Sequence, residues 1–132
     1  MHNCLVGSEM CIRDRKLNAS SENKKTTYHD PCYLGRYEKV YDAPRDLIAS
    51  AGFKVTEMER HGERSMCCGG GNAGFVREQD VKKRVDQVRK EQVRETGADV
   101  LVTACPECKM MLNAAVSETK DIAEVVAEAL EE

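Results

Sequence analysis

The sequence predicts an α/β fold in which a small parallel sheet of about three strands is flanked by helices. Short β-branched runs alternate with amphipathic segments along the chain, and this alternation is typical of a parallel sheet with helices on its faces. The length of 132 residues suits one domain of ordinary proportions. No run approaches the ~18 consecutive apolar residues of a membrane-spanning helix, so we expect no spanning segment.

Residues 1–15 (MHNCLVGSEMCIRDR) do not share this pattern. They show no sustained helical or alternating period, and the string resembles translated sequencing-adapter read-through. We therefore interpret them as a non-native segment, with a genuine disordered or broken helical lead-in as the alternative. Residues 16–24 are interpreted as a polar linker, and residues 25–132 as the folded domain. No secretory signal precedes the cysteines, so we expect a cytoplasmic protein.

The first part of the domain predicts a strand, a helix and a second strand. Residues 25–29 (KTTYH) are short, β-branched and aromatic, and the Asp-Pro pair after them ends the strand. Asp42 is expected to cap a helix that has Pro44 in its first turn and Gly52 as its left-handed terminator. Residues 53–58 (FKVTEM) alternate in polarity and predict the second strand.

The second part predicts a long helix, a third strand and two further helices. The long helix follows a glycine-rich turn and ends at Gly97, with Val81, Val85 and Val88 on its apolar side. Residues 100–102 (VLV) suit a strand covered on both faces, and Pro106 begins a helix. An amphipathic helix is expected near residues 121–130. The expected buried side of the helix after Pro106 is Met110, Met111, Leu112, Ala114 and Ala115.

The overall charge argues against nucleic-acid binding. The formal net charge is −3, and a nucleic-acid binder usually carries a basic surplus on one face. Aromatic residues make up only 5% of the chain and Trp is absent, so base-stacking platforms are not expected.

Cysteine is over-represented, with seven in the chain and five after residues 1–15 are set aside. These five, named here the site cysteines, are Cys32, Cys67, Cys68, Cys105 and Cys108. Each lies after the carboxyl end of a predicted strand or in the loop beyond it, and in open α/β sheets those loops meet at the edge where ligands bind. In a chain without a secretory signal, such cysteines indicate metal ligands or redox groups before disulfides.

The surroundings of the site cysteines favour thiolates. Helix N-termini carry partial positive charge and free N–H groups, and most of these cysteines precede a predicted helix or glycine-rich turn. The run Gly69, Gly70 and Gly71 would let the backbone approach a bulky ligand closely. His29 is a candidate hydrogen-bond donor to a cluster sulfur, with simple packing at a strand end as the alternative. Arg36 and Arg45 are candidates for the edge of the same site or ordinary surface charges.

The spacing of the site cysteines resembles that of the cysteine-rich CCG domain. In chain order the pattern is Cys32, then Cys67-Cys68-Gly69, then Cys105-Pro-Glu-Cys108. That domain occurs in the B and D polypeptides of heterodisulfide reductase and in iron–sulfur subunits of glycolate, lactate and glycerol-3-phosphate oxidation. Residues 28–36 (YHDPCYLGR) and 41–45 (YDAPR) are similar to sequence flanking the cysteines in iron–sulfur oxidoreductases of the D type. The resemblance covers about residues 25 to 130.

The resemblance implies an iron–sulfur cofactor. Members of the family hold a [4Fe–4S] cluster of non-cubane type, and the resemblance assigns its ligation to the site cysteines. Some sites of the family hold zinc or a simpler cluster instead. Whole proteins of the family carry a second CCG domain and commonly a ferredoxin-like domain, so we expect this chain to be the C-terminal CCG domain of a longer subunit, inactive alone.

Two functions of different class follow. The first is an electron-transfer module of an oxidoreductase, with the cluster itself as the reacting group and a flavoprotein or a membrane electron-transfer subunit as partner. The second is a zinc-stabilised, non-catalytic assembly domain. A tetrahedral zinc site needs four ligands, whereas five cysteines converge here, which favours iron and sulfur over zinc or a metal-free dithiol. No residue decides the substrate, the electron donor or the acceptor.

Overall fold

The computed structural model of the protein describes residues 24–71 and 84–131. Three strands, β1 (Thr26–His29), β2 (Val100–Thr103) and β3 (Glu118–Asp121), form one parallel sheet in the order β1-β2-β3. The predicted α/β class with a small parallel sheet is therefore confirmed. The interpretations of residues 1–15 and of most of the linker lie outside the described residues, and the boundaries of the domain stay predictions.

Four α-helices accompany the sheet in the described part of the chain. They are α1 (Asp42–Ser50), α2 (Val85–Glu95), α3 (Pro106–Leu112) and α4 (Ile122–Glu131). A π-helical turn, Tyr33–Tyr37, follows β1, and a 3-10 turn, Gly62–Arg64, lies between α1 and α2. None of the helices in this part is long and apolar enough to cross a bilayer.

The alternation of β2 divides the core into two layers, because successive side chains of a strand point to opposite faces. Val100 and Val102 pack with Tyr28 against α1 and α4. Leu101 points to the other face, where it joins a cluster that contains Val93 of α2 and the buried residues of α3. Helices cover both faces of the sheet, as predicted, and the second layer holds buried cysteines.

The predicted end of α1 is confirmed at Gly52. Its φ of 92° is in the left-handed region, and its N–H donates to the Ala49 carbonyl at 3.0 Å. The N–H of Phe53 donates to the Ile48 carbonyl at 3.2 Å, which completes a Schellman motif. The predicted start is shifted by one residue. Asp42 is the first helical residue and makes no cap hydrogen bond, so its carboxylate stabilises the helix through its charge.

The prediction of a strand over residues 53–58 is wrong. This segment touches β1 through a single parallel bridge between Thr26 and Val55, with the Thr56 N–H donating to the Thr26 carbonyl at 2.8 Å. The third strand is β3, whose polar Glu-Thr-Lys-Asp sequence carries no apolar alternation. It lies at a sheet edge, and all four of its residues are partly exposed. Because neither face of the strand is fully buried, its sequence does not alternate between apolar and polar residues.

Two expectations about helix faces need correction. Val85 is 37% exposed, whereas Val93 and Arg89 are fully buried on α2. The N-terminal part of the predicted long helix, with Val81, lies outside the described residues. Met110 is 57% exposed, because Cys108, Met111 and Leu112 occupy the inward positions of α3. Ala114 lies beyond the end of that helix and is exposed.

Candidate metal centre

The ends of β1 and β2 place three of the site cysteines. These strands are parallel and pair His29 with Thr103, so the chain leaves both of them at the same edge of the sheet. Cys32 follows β1 at the start of the π-helical turn. Cys105 is the N-cap of α3 and Cys108 lies in the first turn of that helix. The predicted carboxyl edge therefore carries Cys32, Cys105 and Cys108.

The loop after the 3-10 turn supplies the remaining pair. The Gly69 N–H donates to Cys67 Sγ at 3.3 Å, and the Gly70 N–H donates to Cys68 Sγ at 3.5 Å. Gly69 has a φ of 90°, and a Cβ at that position would lie 3.0 Å from the backbone N of Asp86. The tight turn therefore needs glycine, and it directs two backbone donors at two sulfurs.

The three glycines of this loop are not equivalent. A Cβ on Gly70 would lie 3.0 Å from Glu107 Oε1 and 3.0 Å from Met111 Cγ, so this backbone is pressed against α3. A Cβ on Gly71 would meet nothing within 4 Å. Among the described atoms, Gly69 and Gly70 thus donate to sulfur, and Gly71 makes no close approach.

The deepest part of the site is formed by His29, Cys68 and Cys108. All three are buried, and their potential ligand atoms lie within 4.8 Å of one another. The Cys108 thiol donates a hydrogen bond to Cys68, and this bond is the main reason that the pKa of Cys68 falls well below its ordinary value. Hydrogen bonds from His29 and from the Gly70 N–H act in the same direction. Because Cys108 is the donor, and is buried, its own pKa is raised. Cys68 is therefore the thiolate of the pair.

Cys32, Cys67 and Cys105 are half-buried at the rim of this centre. Burial raises the pKa of the Cys32 thiol, and the charges of Cys67, Cys68 and Cys105 raise it further. Cys32 and Cys67 line one cavity, and Cys105 is hydrogen-bonded to Cys108. Of the described cysteines none is in a disulfide. Cys32 and Cys67 are thus neighbours, and Cys105 adjoins the buried group through Cys108.

The two arginines proposed for the edge of the site have different roles. Arg45 makes a bidentate ion pair with Asp30, with both N–O distances at 2.8 Å, and a second one with Glu57 at 2.6 and 3.0 Å. Burial would raise the pKa of Asp30, but hydrogen bonds from Arg45 and from the Gly62 N–H lower it. Arg36 donates to the Ser65 carbonyl at 3.2 Å. Arg45 therefore fixes the start of the loop after β1 through Asp30, and Arg36 connects that loop to the segment that leads to Cys67.

Arg89 is the residue that sequence analysis missed. It lies in the middle of α2, is fully buried, and its Nε–H donates to His29 Nδ1 at 3.0 Å. A charged residue four positions before the buried Val93 occupies the same helix face, and that spacing is the signal that could have drawn attention to it.

The donor set fits an iron–sulfur group. Thiolates are the soft ligands that such clusters use, and N–H donors directed at sulfur are one of the means by which proteins tune them. Here five free thiols, two backbone N–H donors and a buried histidine share one edge of the sheet. Two buried apolar residues, Met58 and Leu112, pack in the same layer as Cys68 and Cys108.

Comparison with known proteins gives a consistent picture. The family model of the CCG "Cysteine-rich domain" matches residues 26–113. The chain is 43% identical over 86% of its length to a "Probable membrane-anchored ferredoxin" of Chromohalobacter salexigens, of which it covers 18%. It is 38% identical over 84% of its length to the "Probable iron-sulfur-binding oxidoreductase FadF" of Bacillus subtilis, of which it covers 16%. It is 41% identical over 82% of its length to the D polypeptide of the dihydromethanophenazine:CoB–CoM heterodisulfide reductase of Methanosarcina barkeri, of which it covers 28%. The chain therefore spans less than a third of these relatives.

Proposed function

The chain belongs to the family of cysteine-rich CCG domains, and from that membership we propose that it is the iron–sulfur electron-transfer module of an oxidoreductase. The proposal rests on the way separate segments bring free thiols together: Cys68 and Cys108 form one buried group with His29, and Cys32 and Cys67 line one cavity. The names of the relatives, which include a ferredoxin and an iron–sulfur-binding oxidoreductase, support it.

The proposed ligands are the site cysteines, and the proposed cofactor is a [4Fe–4S] cluster of non-cubane type. Four thiolates suffice for an ordinary cubane cluster, so a fifth one leaves sulfur for an additional bridge. Cys67 and Cys68 are the best source of that bridge, because adjacent side chains in a glycine-rich turn can reach different irons. When bound, such a cluster would supply one-electron chemistry.

The chain's own residues would bind and tune this group. Gly69 and Gly70 direct N–H donors at the sulfurs of Cys67 and Cys68, which stabilises negative charge on them. The hydrogen bond between His29 and Cys68 acts in the same way. Cys68 and Cys108 are buried, so the inner side of the group would be shielded from water, whereas Cys32 and Cys67 lie at the accessible rim.

A zinc-stabilised assembly domain is the second candidate. The observation that favours it is the compact group of His29, Cys68 and Cys108, which has the ligand types of a structural zinc site. A fourth ligand is available in Cys105, which is hydrogen-bonded to Cys108. This candidate leaves Cys32 and Cys67 without a role, and for that reason we place it second.

The activity of the whole protein is also a proposal, because the relatives are several times longer than this chain. We propose that the module works beside a second CCG domain and a ferredoxin-like domain, and exchanges electrons with a flavoprotein or a membrane protein. The names of these relatives support an electron-transfer setting, and one of them describes a membrane anchor. We accordingly propose a cytoplasmic location, with membrane contact through a partner subunit.

Metal analysis after anaerobic expression separates the two candidates. We expect about four irons and about four sulfides per chain, with the broad visible absorption of a cluster. The Cys108→Ser variant, prepared in the same way, is the matched control and should lose most of this iron. About one zinc per chain, with little iron after reconstitution, would replace the first candidate with the second.

A further inference from the structure

Arg89 is a buried cation whose hydrogen-bond partners are all neutral within the described residues. Its Nη1 donates to the Arg60 carbonyl at 2.7 Å and to Gln92 Oε1 at 2.8 Å, and its Nη2 donates to Ser65 Oγ at 3.2 Å. Its Nε donates to His29 Nδ1 at 3.0 Å. No carboxylate among these residues bonds to it, although the side chain has no exposed surface.

Such a cation needs an anion nearby, because a buried charge without a counter-charge is costly. The acidic groups whose charges act on it are Asp30, Cys108 and Cys68. Asp30 is already bound on both oxygens by Arg45. The site cysteines Cys68 and Cys108 are one side chain away, because His29, which accepts from Arg89, has a ring nitrogen within 4.8 Å of both sulfurs.

The bond to His29 also fixes where the imidazole carries its proton. Arg89 can only donate, so Nδ1 of His29 must accept and carries no proton. An imidazole that accepts a hydrogen bond at Nδ1 is neutral and carries its single proton on Nε2. That proton is then the one available for the hydrogen bond between His29 and Cys68.

We propose that Arg89 is a positioning residue of the metal centre: it holds His29 as an N–H donor to Cys68, and it supplies a buried positive charge that would balance the negative charge of Cys68 and Cys108 when they ligate a metal. His29 in this tautomer is a donor to a ligand sulfur and not itself a metal ligand. The charge-balancing role rests on the proposed function, whereas the control of the tautomer does not.

The first test reads the tautomer in the metal-free chain. With ¹⁵N-labelled histidine, we expect the nitrogen chemical shifts of His29 to report a protonated Nε2 in the parent. In Arg89→Met, which has neither charge nor donor, the two tautomers should become mixed. Arg94→Met is the matched control, since Arg94 is exposed on the same helix and donates to the Ala115 carbonyl at 3.1 Å, away from His29. A protonated Nδ1 in the parent, or equal spectra for all three proteins, would overturn the inference.

The second test measures the reduction midpoint of the chain after anaerobic reconstitution with iron and sulfide. Loss of a positive charge disfavours the reduced, more negative state. Arg89→Met should therefore shift the one-electron equilibrium about tenfold toward the oxidised form, which is about 59 mV for a one-electron couple. Arg89→Lys keeps the charge but not the planar donor, so it should alter the His29 spectrum and leave the midpoint equilibrium within about threefold of the parent's.

The outcomes keep the two proposals apart. If the parent holds no iron, the proposed function fails, and the tautomer measurement still decides the role of Arg89. If iron is held but Arg89→Met and Arg94→Met have equal midpoints, the charge-balancing role fails and the proposed function stands. Circular dichroism and thermal unfolding accompany each variant, and Arg89→Lys gives the decisive comparison if Arg89→Met does not fold.

Discussion

Cys67 and Cys68 are neighbours in sequence with unlike surroundings. Cys68 is buried, and hydrogen bonds from Cys108, His29 and the Gly70 N–H lower the pKa of its thiol. Cys67 is half-buried, lies on the cavity that it shares with Cys32, and accepts one backbone N–H. A site with such unequal thiols is expected to respond unequally when single cysteines are replaced.

We predict that Cys67→Ser retains iron and that Cys108→Ser loses most of it. Cys108 is buried and in hydrogen-bond contact with both Cys68 and Cys105, whereas Cys67 is only half-buried. Iron per chain after anaerobic reconstitution gives the first readout, and electron paramagnetic resonance the second. The Cys67→Ser spectrum should differ from that of the parent, because a bridging sulfur would be lost.

Met110→Leu is the control for these cysteine variants, since Met110 is exposed on the same helix as Cys108. It should match the parent in both iron content and spectrum. An unchanged spectrum in Cys67→Ser would mean that only four cysteines bind, and the centre would then be an ordinary cubane or zinc site.

The ion pair of Arg45 and Asp30 gives a second prediction at this scale. Asp30 has only 2% of its side chain exposed, and removal of its partner would leave a buried carboxylate unpaired. We expect Arg45→Met to lower the free energy of unfolding by about 3 kcal/mol. Urea denaturation of Arg45→Met, Asp30→Asn and the double variant measures the coupling, which should be about 2 kcal/mol. Additive effects of the two changes would show that the pair contributes no stability of its own.

At the scale of the element, the glycine loop joins the site to α2 and α3. Gly69→Ala would place a methyl group at a positive φ and 3.0 Å from the Asp86 backbone, and backbone cannot move aside as a side chain can. We expect it to lower the free energy of unfolding by roughly 2 kcal/mol and to reduce iron binding. Gly71→Ala is the matched control and should resemble the parent, since its methyl group meets no atom of the described residues within 4 Å. Equal iron content in both variants would contradict a role of the turn in forming the site.

The elements that were predicted correctly are those with strong local signals in the sequence. β1 ends where Asp-Pro follows it, and β2 is a continuous apolar run covered on both faces. Gly52 and Gly97 both have positive φ and follow the helices that they were predicted to end. Pro106 begins α3, as its position after Cys105 indicates. At each of these boundaries except those of β2, a proline or glycine with a restricted or permissive backbone determines where the element begins or ends.

The elements that the sequence did not predict depend on contacts made far along the chain. β3 is a strand because β2 lies beside it, and its own residues carry no apolar pattern. Residues 53–58 alternate like a strand, yet only Val55 pairs with β1. Arg89 occupies a core position where acceptors distant in sequence, His29 and the Arg60 carbonyl, receive its hydrogen bonds, so a pattern based on hydrophobicity does not identify it. Arg89 contacts His29 at the candidate site, where local rules and function conflict.

Across the whole molecule, the site cysteines connect segments that are distant in sequence. Cys32 follows β1, Cys67 and Cys68 lie in the central loop, and Cys105 and Cys108 flank the start of α3. Cys68 and Cys108 are also members of the apolar layer that contains Leu101, so the candidate site and one half of the core are the same structure. Occupation of the site should consequently be inseparable from the stability of that layer.

We therefore predict that cofactor binding stabilises the fold as a unit. Without a cofactor, nothing covalent joins the three segments that carry the site cysteines, since all five are free thiols. Ligation would cross-link these segments through their sulfurs. The loaded chain should therefore melt about 10 °C above the metal-free chain, which corresponds to roughly 3 kcal/mol in the free energy of unfolding for a domain of this size. The metal-free form should keep helical circular dichroism but unfold over a broader range. Cys108→Ser, treated with iron and sulfide in the same way, should gain little. If the metal-free parent melted as sharply and at as high a temperature as the loaded protein, the stability of the core would not depend on cofactor binding, and the prediction would be wrong.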